Sequence, residues 1–420
     1  MRVAVVEFAG RGGMTHYAYQ MSRGLSAAGL DVTLVTDRHY ELDELPHPFR
    51  LEKILRLWDA KPSASSSGMV RRVRRVARAL VYYREWVRTI LFLRAQRFDL
   101  VQLGDLRFAS DLVCILALRL LGIRLVDVCH NVRPFSSHGR GGSFRFSRLG
   151  RVAFQRVYRH FERVVLHFEV NRRAFQSTFD LPSERLVVIP MGNESIFEEM
   201  RDEQVTPAVI RARLDLRQEE RVVMFFGTVS FYKGIDLLMR AFARVHGEHP
   251  DTKLVVAGHP LSGFDMDDLK HEARTLGIES DTIFVARYIE IPEVAAWIEL
   301  ASVVVFPYRD VYQSAAVQVA QTMGAPTIVT NVGAMDEVVT DGETGLLVPV
   351  EDVDALIEAM DRVLGDDAFA KRLGDAARRD ATSRFSWEAI GRKLASCYLE
   401  MRPNFPREAQ PSVRSTRAAR

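Results

Sequence analysis

The chain has 420 residues, which is enough for two domains that each bury a core of their own. Its apolar content of 47% and charged content of 26% are typical of a globular protein, and a net charge of only +3 gives no overall reason to expect nucleic acid. Three cysteines lie far apart in the chain, at positions 114, 129 and 397, and indicate neither a disulfide framework nor a zinc site. No signal peptide precedes the first apolar run, so we expect a cytoplasmic protein.

The chain opens with the pattern of a doubly wound α/β domain. A strand, a glycine loop, a helix and a second strand follow one another at residues 2–8, 10–13, 17–28 and 31–36. The glycines at 10, 12 and 13 could belong to a nicotinamide-binding fingerprint. That alternative is weakened because Thr15 stands where the third glycine of such a fingerprint belongs, although Asp37 follows the second strand.

Residues 69–98 predict an amphipathic helix with an unusual charge balance. The segment contains nine arginines and one acidic residue, Glu85. Apolar residues recur at spacings of three and four, so we expect this stripe to face a core; it consists of Met69, Val73, Val76, Leu80, Tyr83, Val87 and Ile90. The arginines favour docking on the anionic headgroups of a membrane's inner face, and the alternative is a solvated helix face.

Residues that could bind a ligand follow the ends of two predicted strands. The strand at 125–128 ends in Cys129-His130-Asn131, at the edge where open parallel sheets bind ligands, although a polar loop pair is an equal alternative. The strand at 222–226 leads into a loop with Gly227, Lys233 and Gly234 and then into a helix. Such a turn predicts a phosphate site, and the alternative is a plain turn with a solvated lysine, because the loop is not a Walker loop.

The second half of the chain repeats the alternation of strands and helices. Its predicted strands lie at 222–226, 253–257, 282–286, 302–306 and 326–330. The polar segment 198–220 predicts the domain junction, a last helix is expected at about 386–401, and the proline-containing tail 403–420 is expected to be disordered.

Several motifs together resemble the retaining nucleotide-sugar glycosyltransferases of the GT-B fold, glycosyltransferase family 4. The most specific is Asp341-Gly-Glu-Thr-Gly-Leu-Leu-Val-Pro349, and the resemblance spans nearly the whole chain. The others are Gly10-Arg-Gly-Gly13, Cys129-His130-Asn131, Pro190-Met-Gly192, Gly227 with Tyr232-Lys233-Gly234, Val256-Ala-Gly258, Pro307-Tyr308, Gly324-Ala-Pro326 and Asn331-Val-Gly333.

The resemblance implies two Rossmann-like domains that face each other across a cleft. Residues 1–198 would form the acceptor domain, 199–384 the donor domain, and 385–402 a helix that crosses back to the N-terminal domain. It also implies transfer of a sugar from a nucleotide-diphosphate donor to a glycan or lipid-linked acceptor, with retention and with neither a metal nor another cofactor. Lys233 would contact the donor phosphates, and His130 would face the donor sugar.

The remaining donor-binding residues are implied by their positions in the family's motifs. Thr228 stands where the family usually has an arginine, and Val311 and Val319 replace its two glutamates. Neighbouring polar residues can partly stand in for these carboxylates, and Ala315 replaces a glycine found in one branch of the family. The donor-binding set is therefore Gly12, Gly13, Gly227, Thr228, Gly234, Asp310, Gln313, Ser314, Ala315 and Gln318.

Two other classes of function stay open on the sequence. Loss of both glutamates at Val311 and Val319 fits a GT-B protein that binds a nucleotide sugar or a glycan without catalysis. A sugar-nucleotide epimerase of the same fold would form a new sugar isomer with no acceptor present. Release of a nucleoside diphosphate distinguishes the transferase from the binding protein.

Overall fold

The computed structural model describes residues 1–57, 68–104, 106, 108–130, 132, 148–261 and 263–401; at 68–72, 74 and 75 it describes the backbone alone. Asn131 and the predicted tail 403–420 lie outside the described residues.

The first half of the chain forms a parallel sheet with strand order β3-β2-β1-β4-β5-β6-β7. Its strands are β1 Arg2–Val6, β2 Asp31–Asp37, β3 Arg50–Leu55, β4 Leu100–Leu103, β5 Arg124–Val128, β6 Arg163–Leu166 and β7 Leu186–Val188. The helices of this half are α1 Gly13–Ala27, α2 Gly68–Gln96, α3 Leu112–Leu120, α4 Arg148–Tyr158, α5 Glu169–Thr178 and α6 Ile196–Glu199.

The second half forms a parallel sheet with strand order β10-β9-β8-β11-β12-β13. Its strands are β8 Arg221–Phe226, β9 Thr252–Ala257, β10 Thr282–Val285, β11 Val303–Phe306, β12 Thr327–Thr330 and β13 Leu346–Val348. The helices of this half are α7 Pro207–Arg213, α8 Ile235–Glu248, α9 Met266–Thr275, α10 Ile291–Leu300, α11 Ala315–Thr322, α12 Met335–Val338, α13 Val353–Gly365, α14 Asp367–Ser383 and α15 Trp387–Glu400.

Both sheets show why the sequence reads as runs of apolar residues. Helices cover both faces of a doubly wound sheet, so its inner strands lose the alternation seen in half-exposed strands. Residues 222–225 of β8 are all fully buried, as are Val303 to Phe306 of β11. The predicted fold class, two doubly wound Rossmann-like units, is confirmed.

The last helix, α15, returns to the first half of the chain and packs on α1. The two helices approach closely at Gly24 and Gly391, where a side-chain carbon on Gly391 would lie 2.1 Å from the Gly24 carbonyl oxygen. Asn193, in the connection between the sheets, joins the same region. Its backbone carbonyl accepts hydrogen bonds from Trp387 Nε1 at 2.8 Å and from Gln20 Nε2 at 2.9 Å. These contacts fasten the connection to both α1 and α15.

The prediction for the arginine-rich helix was wrong about which residues face the core. Four members of the predicted core stripe are solvent-exposed instead, with exposed fractions of 62% for Val73, 56% for Val76, 68% for Leu80 and 57% for Val87. The buried face carries Tyr82, Glu85, Trp86, Thr89 and Leu93. The ring centroids of Trp86 and Phe8 lie 4.8 Å apart. Large aromatic side chains thus determine which face of the helix is buried.

The single acidic residue of this helix has a structural role. Glu85 is fully buried and pairs with Arg84 at 2.7 Å and Arg88 at 3.2 Å. It also accepts a hydrogen bond from the backbone N–H of Arg56 at 3.1 Å, which ties α2 to the end of β3. None of the described helices is both long and apolar enough to span a bilayer.

Candidate functional site

A cavity of about 180 Å³ lies in the cleft between the two sheets. Both halves of the chain contribute to its wall. The first half and the connection provide Gly13, His16, Glu194 and Phe197, and the second half provides Phe226, Gly227, Thr228, Gly258, His259, Tyr288, Ile289, Val294, Ala315, Ala316 and Val319. Four predicted donor-binding residues, Gly13, Gly227, Thr228 and Ala315, therefore meet at one cavity.

The lysine of the predicted phosphate loop is held by a tight turn. Lys233 ends a single 3₁₀ turn, and Gly234 then adopts the left-handed conformation, with φ of 66°, before α8 begins. A side-chain carbon on Gly234 would lie 1.9 Å from the carbonyl oxygen of Pro307. Only glycine therefore fits here, and the loop is pressed against the end of β11.

Lys233 is buried, with an exposed fraction of 8%. It forms no ion pair with a carboxylate among the described residues. The centroid of the Tyr308 ring lies 3.7 Å from the Lys233 ammonium nitrogen. Burial lowers the pKa of Lys233 to about 7. A ring face compensates a buried cation only in part, so the site favours an anionic ligand.

Tyr308 also connects Lys233 to the start of α11. Its hydroxyl lies 3.1 Å from Ser314 Oγ, and Ser314 caps the helix by accepting from the backbone N–H of Val317 at 3.4 Å. The first residue of α11, Ala315, is exposed. Tyr308 and Ser314 thus link Lys233 to the first turn of α11, whose free N–H groups and positive dipole end also favour an anion. The predicted Ser314 hydroxyl is already engaged as the helix cap.

The other predicted residues around α11 occupy different environments. Val311 and Val319 are buried, and Val319 lines the cavity. Gln318 is fully buried and does not line the cavity, and neither of its amide atoms has a hydrogen-bond partner within the described part of the chain. Asp310 and Gln313 are partly exposed in the loop before α11.

The glycine loop of the first half is fixed by a carboxylate. The backbone N–H of Gly12 donates to Glu41 Oε1, and the same oxygen lies 2.8 Å from His16 Nε2. Both His16 and Gly13 line the cavity. The loop and the first turn of α1 thus form its wall on the side of the N-terminal sheet.

His130 follows β5 and forms a hydrogen-bonded pair with His167, which follows β6. His167 Nδ1 lies 3.2 Å from the carbonyl oxygen of Ile189, and His167 Nε2 lies 3.1 Å from His130 Nδ1. Burial lowers the pKa of His167 to about 4, and burial together with His167 holds the pKa of His130 well below its usual range. Both rings are therefore neutral at pH 7.

The carbonyl of Ile189 determines the tautomers of this pair. A carbonyl oxygen only accepts, so His167 must carry its proton on Nδ1, and its Nε2 then accepts from His130 Nδ1. This leaves a lone pair on His130 Nε2, a buried atom that has no hydrogen-bond partner within the described residues. Tyr17 packs edge-on against His130, with 4.6 Å between the ring centroids. His130 thus presents a hydrogen-bond acceptor with a fixed orientation.

Sequence reasoning missed Glu194. This residue follows Asn193 in the connection, lines the cavity and is only 5% exposed. Burial raises the pKa of its carboxyl to about 8. The signal available in the sequence was an acidic residue directly after Pro190-Met-Gly-Asn, where the connection leaves the first sheet.

A larger cavity, of about 570 Å³, lies between α1, the connection and the start of α15. Its wall includes Gln20, Arg23, Asn193 and Trp387 and none of the predicted donor-binding residues.

The residues that the structure describes contain no group of three or more potential metal-ligating side chains.

Two family models match the chain, one in each half. Residues 12–192 match the glycosyl transferase 4-like domain, and residues 208–380 match glycosyl transferases group 1. Together with the fold, these matches place the chain in the GT-B glycosyltransferases of the family 4 type. The chain belongs to this family.

Curated relatives agree with this assignment. The chain is 28% identical to a D-inositol 3-phosphate glycosyltransferase of Corynebacterium aurimucosum, over 60% of this chain and 59% of that protein. It is 29% identical to a GDP-mannose-dependent alpha-(1-6)-phosphatidylinositol monomannoside mannosyltransferase of Mycolicibacterium smegmatis, over 62% of this chain and 68% of that protein. For three of the curated relatives, the match covers only 46% to 59% of the relative's own length.

A solved structure shares the fold over nearly the whole chain. The Anabaena protein HepE in complex with UDP superposes with a TM-score of 0.70 at 16% identity, covering 96% of this chain and all of that one. At this identity the likeness establishes the GT-B architecture alone.

Proposed function

We propose that this protein transfers a sugar from a nucleotide-diphosphate donor to a glycan or lipid-linked acceptor, with retention of the anomeric configuration and without a metal. The observation that carries the proposal is Lys233, a buried cation with no acidic partner among the described residues, beside the start of α11. Such a site is complete only when an anion binds.

The chemistry follows from where charge develops. When the bond between the sugar and the β-phosphate breaks, negative charge grows on the departing nucleoside diphosphate. Lys233 and the free N–H groups of α11 stabilise this charge, and preorganised stabilisation of this kind is usually the largest catalytic contribution. The family supports retention, and the relative that uses GDP-mannose and the UDP complex of HepE support a nucleotide-diphosphate donor.

Val319 keeps a second candidate function in view. A buried valine on the cavity wall offers no hydrogen bond, so a protein that binds a nucleotide sugar without turnover is the alternative.

The test is to incubate the protein with labelled UDP-, GDP-, ADP- and dTDP-sugars and a total lipid extract. A transferase releases nucleoside diphosphate and labels the lipid fraction, whereas a binding protein does neither. The anomeric configuration of the labelled product tests retention.

The acceptor proposal rests on the exposed apolar surface of three neighbouring helices. We call this the apolar face; it consists of Val76, Leu80, Val87 and Leu91 on α2, Val113, Leu116 and Leu120 on α3, and Leu149 and Val152 on α4. Exposed arginines accompany these residues, among them Arg84, Arg94 and Arg148. Apolar side chains that insert between lipids, with cations beside them, fit the interface of an anionic membrane. We propose that the protein attaches there, at the inner face of the membrane, and takes a lipid-linked acceptor.

Replacing Leu80 and Leu91 together by aspartate is expected to abolish sedimentation with liposomes that contain 30–50% phosphatidylglycerol. Both side chains are more than half exposed, so the change removes apolar area and adds repulsion without disturbing a core. Val350→Asp, at an exposed valine of the other half, is the control and should sediment like the wild type. If the double variant still sediments at low salt, or the wild type does not, the apolar face is not a membrane site.

A further inference from the structure

Glu194 places a buried carboxyl on the wall of the cleft cavity. It lines this cavity together with Gly227, Thr228 and Val319, and its exposed fraction is 5%. Its Oε2 atom is buried and lacks a hydrogen-bond partner within the part of the chain that the structure describes. Leaving such a group unpaired destabilises the folded protein, so its retention on a cavity wall needs another explanation.

The backbone around Glu194 is anchored on both sides. Its N–H donates to Thr322 Oγ1 at 3.1 Å, and Thr322 lies one turn after Val319 on α11. The preceding residue, Asn193, is held by Trp387 and Gln20, as described above. The backbone of Glu194 is therefore held beside α11, and the residue lines the cavity together with Val319.

The cavity has the character of a nucleoside site. Tyr288, Ile289 and Val294 give it apolar and aromatic surface, which suits a planar base. Neither Lys233, the proposed phosphate ligand, nor His130, which would face the sugar, lines it. The part of a nucleotide sugar that lies next to the base on the side of the phosphates is the ribose.

The protonation state of Glu194 suits a hydrogen bond to the ribose hydroxyls. Burial raises the pKa of the carboxyl to about 8, so it is protonated at pH 7. A neutral carboxyl donates one hydrogen bond and accepts others, as each hydroxyl of a vicinal diol also does. The other titratable side chains on this cavity wall are His16, which is engaged by Glu41, together with His259 and Tyr288.

We propose that Glu194 binds the ribose hydroxyls of the nucleotide donor, from the connection between the two sheets. This assignment rests on the proposed function, because it requires a nucleotide in the cleft. It makes Glu194 a donor-specificity residue that selects ribonucleotides over 2′-deoxyribonucleotides.

The test is calorimetric titration of the wild type, Glu194→Leu and Glu194→Gln with UDP, GDP and ADP and with their 2′-deoxy analogues. For the nucleotide that binds, removal of the 2′-hydroxyl is expected to weaken wild-type affinity about 10-fold, the effect of one lost hydrogen bond in a buried site. Glu194→Leu should bind the ribonucleotide about 10-fold more weakly and should no longer distinguish the two forms. Glu194→Gln keeps a donor and an acceptor and should retain part of the preference.

The control is Glu203→Leu, an exposed glutamate of the same connection, which should behave like the wild type. Thermal unfolding of each variant shows that it is folded, and Glu194→Gln provides the test if the leucine variant is not. Binding by the wild type with an unchanged preference in both Glu194 variants would overturn this inference and leave the proposed function standing. Absence of binding by the wild type to every nucleotide would overturn both.

Discussion

Replacing Lys233 by methionine is expected to reduce sugar transfer by about 100-fold or more, the loss typical of one preorganised contact to a transition state. The same change should leave the free protein at least as stable as the wild type, because methionine fills a similar volume and removes a buried cation that has no acidic partner among the described residues. Activity measured as nucleoside diphosphate release, together with the unfolding temperature, checks both parts.

The control for this variant is Lys270→Met. Lys270 lies on α9, pairs with Asp267 at 2.8 Å and is about half exposed, so its replacement should change neither transfer nor stability appreciably. Full activity of Lys233→Met would remove the phosphate assignment. Inactivity caused by a large fall in the unfolding temperature would show instead that the lysine is structural.

The same lysine predicts opposite effects of pH on stability and on nucleotide affinity. Its pKa is about 7 in the folded protein and about 10.4 in an unfolded chain, so between these values the unfolded state binds the additional proton. The contribution of Lys233 therefore makes the free energy of unfolding rise with pH through this window. A bound diphosphate favours the charged lysine, so affinity should fall across the same window, by up to about tenfold per pH unit.

Calorimetry in buffers of different ionisation enthalpy checks this prediction directly. At pH 8 to 9 the wild type should take up close to one proton more than Lys233→Met does on binding a nucleoside diphosphate. Equal proton uptake by the two proteins would mean that the lysine does not titrate in response to the ligand.

Replacing His130 by alanine is the second change with a large expected effect, again a loss of transfer of about 100-fold. His130 Nε2 offers an oriented lone pair with no partner among the described residues, which suits a hydroxyl of the donor sugar. Nucleoside diphosphate binding should change little, because His130 does not line the nucleoside cavity. The comparison of transfer rate with nucleotide affinity checks this separation.

His167 provides the matched test, as a positioning residue. Glutamine at 167 can donate to the Ile189 carbonyl and accept from His130, so His167→Gln should keep most activity. Phenylalanine fills the space but cannot accept, so His167→Phe should approach the loss seen for His130→Ala. Equal activities of the two His167 variants would contradict the tautomer argument.

Much of the architecture could be predicted because both sheets are parallel and covered on both faces. Buried strands such as β8 and β11 appear as short apolar runs, and helices such as α8 repeat their apolar residues on one face. Strand β3 was missed because its sequence, Arg-Leu-Glu-Lys-Ile-Leu, carries charges on a partly exposed edge strand. Helix α14 was missed because its buried face is made mostly of alanines and glycine.

The error in α2 has a specific physical cause. Periodicity alone identifies an apolar stripe but not what covers it. The buried face is the one with Tyr82 and Trp86, and it includes Glu85, whose charge is paired with two arginines of the same helix. The stripe with Leu80 and Val87 was therefore assigned to the wrong environment.

The candidate site was predictable where a local motif marks it and not where the fold assembles it. Lys233 and Gly234 lie in one loop, and the turn that they form is made by residues adjacent in sequence. Glu194 lies in the connection and His167 directly follows β6, so only the folded structure shows that Glu194 faces the second half and that His167 faces His130. Glu194 places a carboxyl beside Val319, where α11 itself offers none.

The measurement that tests the central claim most directly is a thermal-shift screen of the wild type and Lys233→Met with UDP, GDP, ADP and dTDP. One nucleotide at about 100 times its dissociation constant should stabilise the wild type by roughly 2.7 kcal/mol, and the variant should respond far less. A response by both proteins to the same extent would contradict the proposed phosphate site. No response of the wild type to any nucleotide would contradict the account of this protein as a nucleotide-sugar glycosyltransferase.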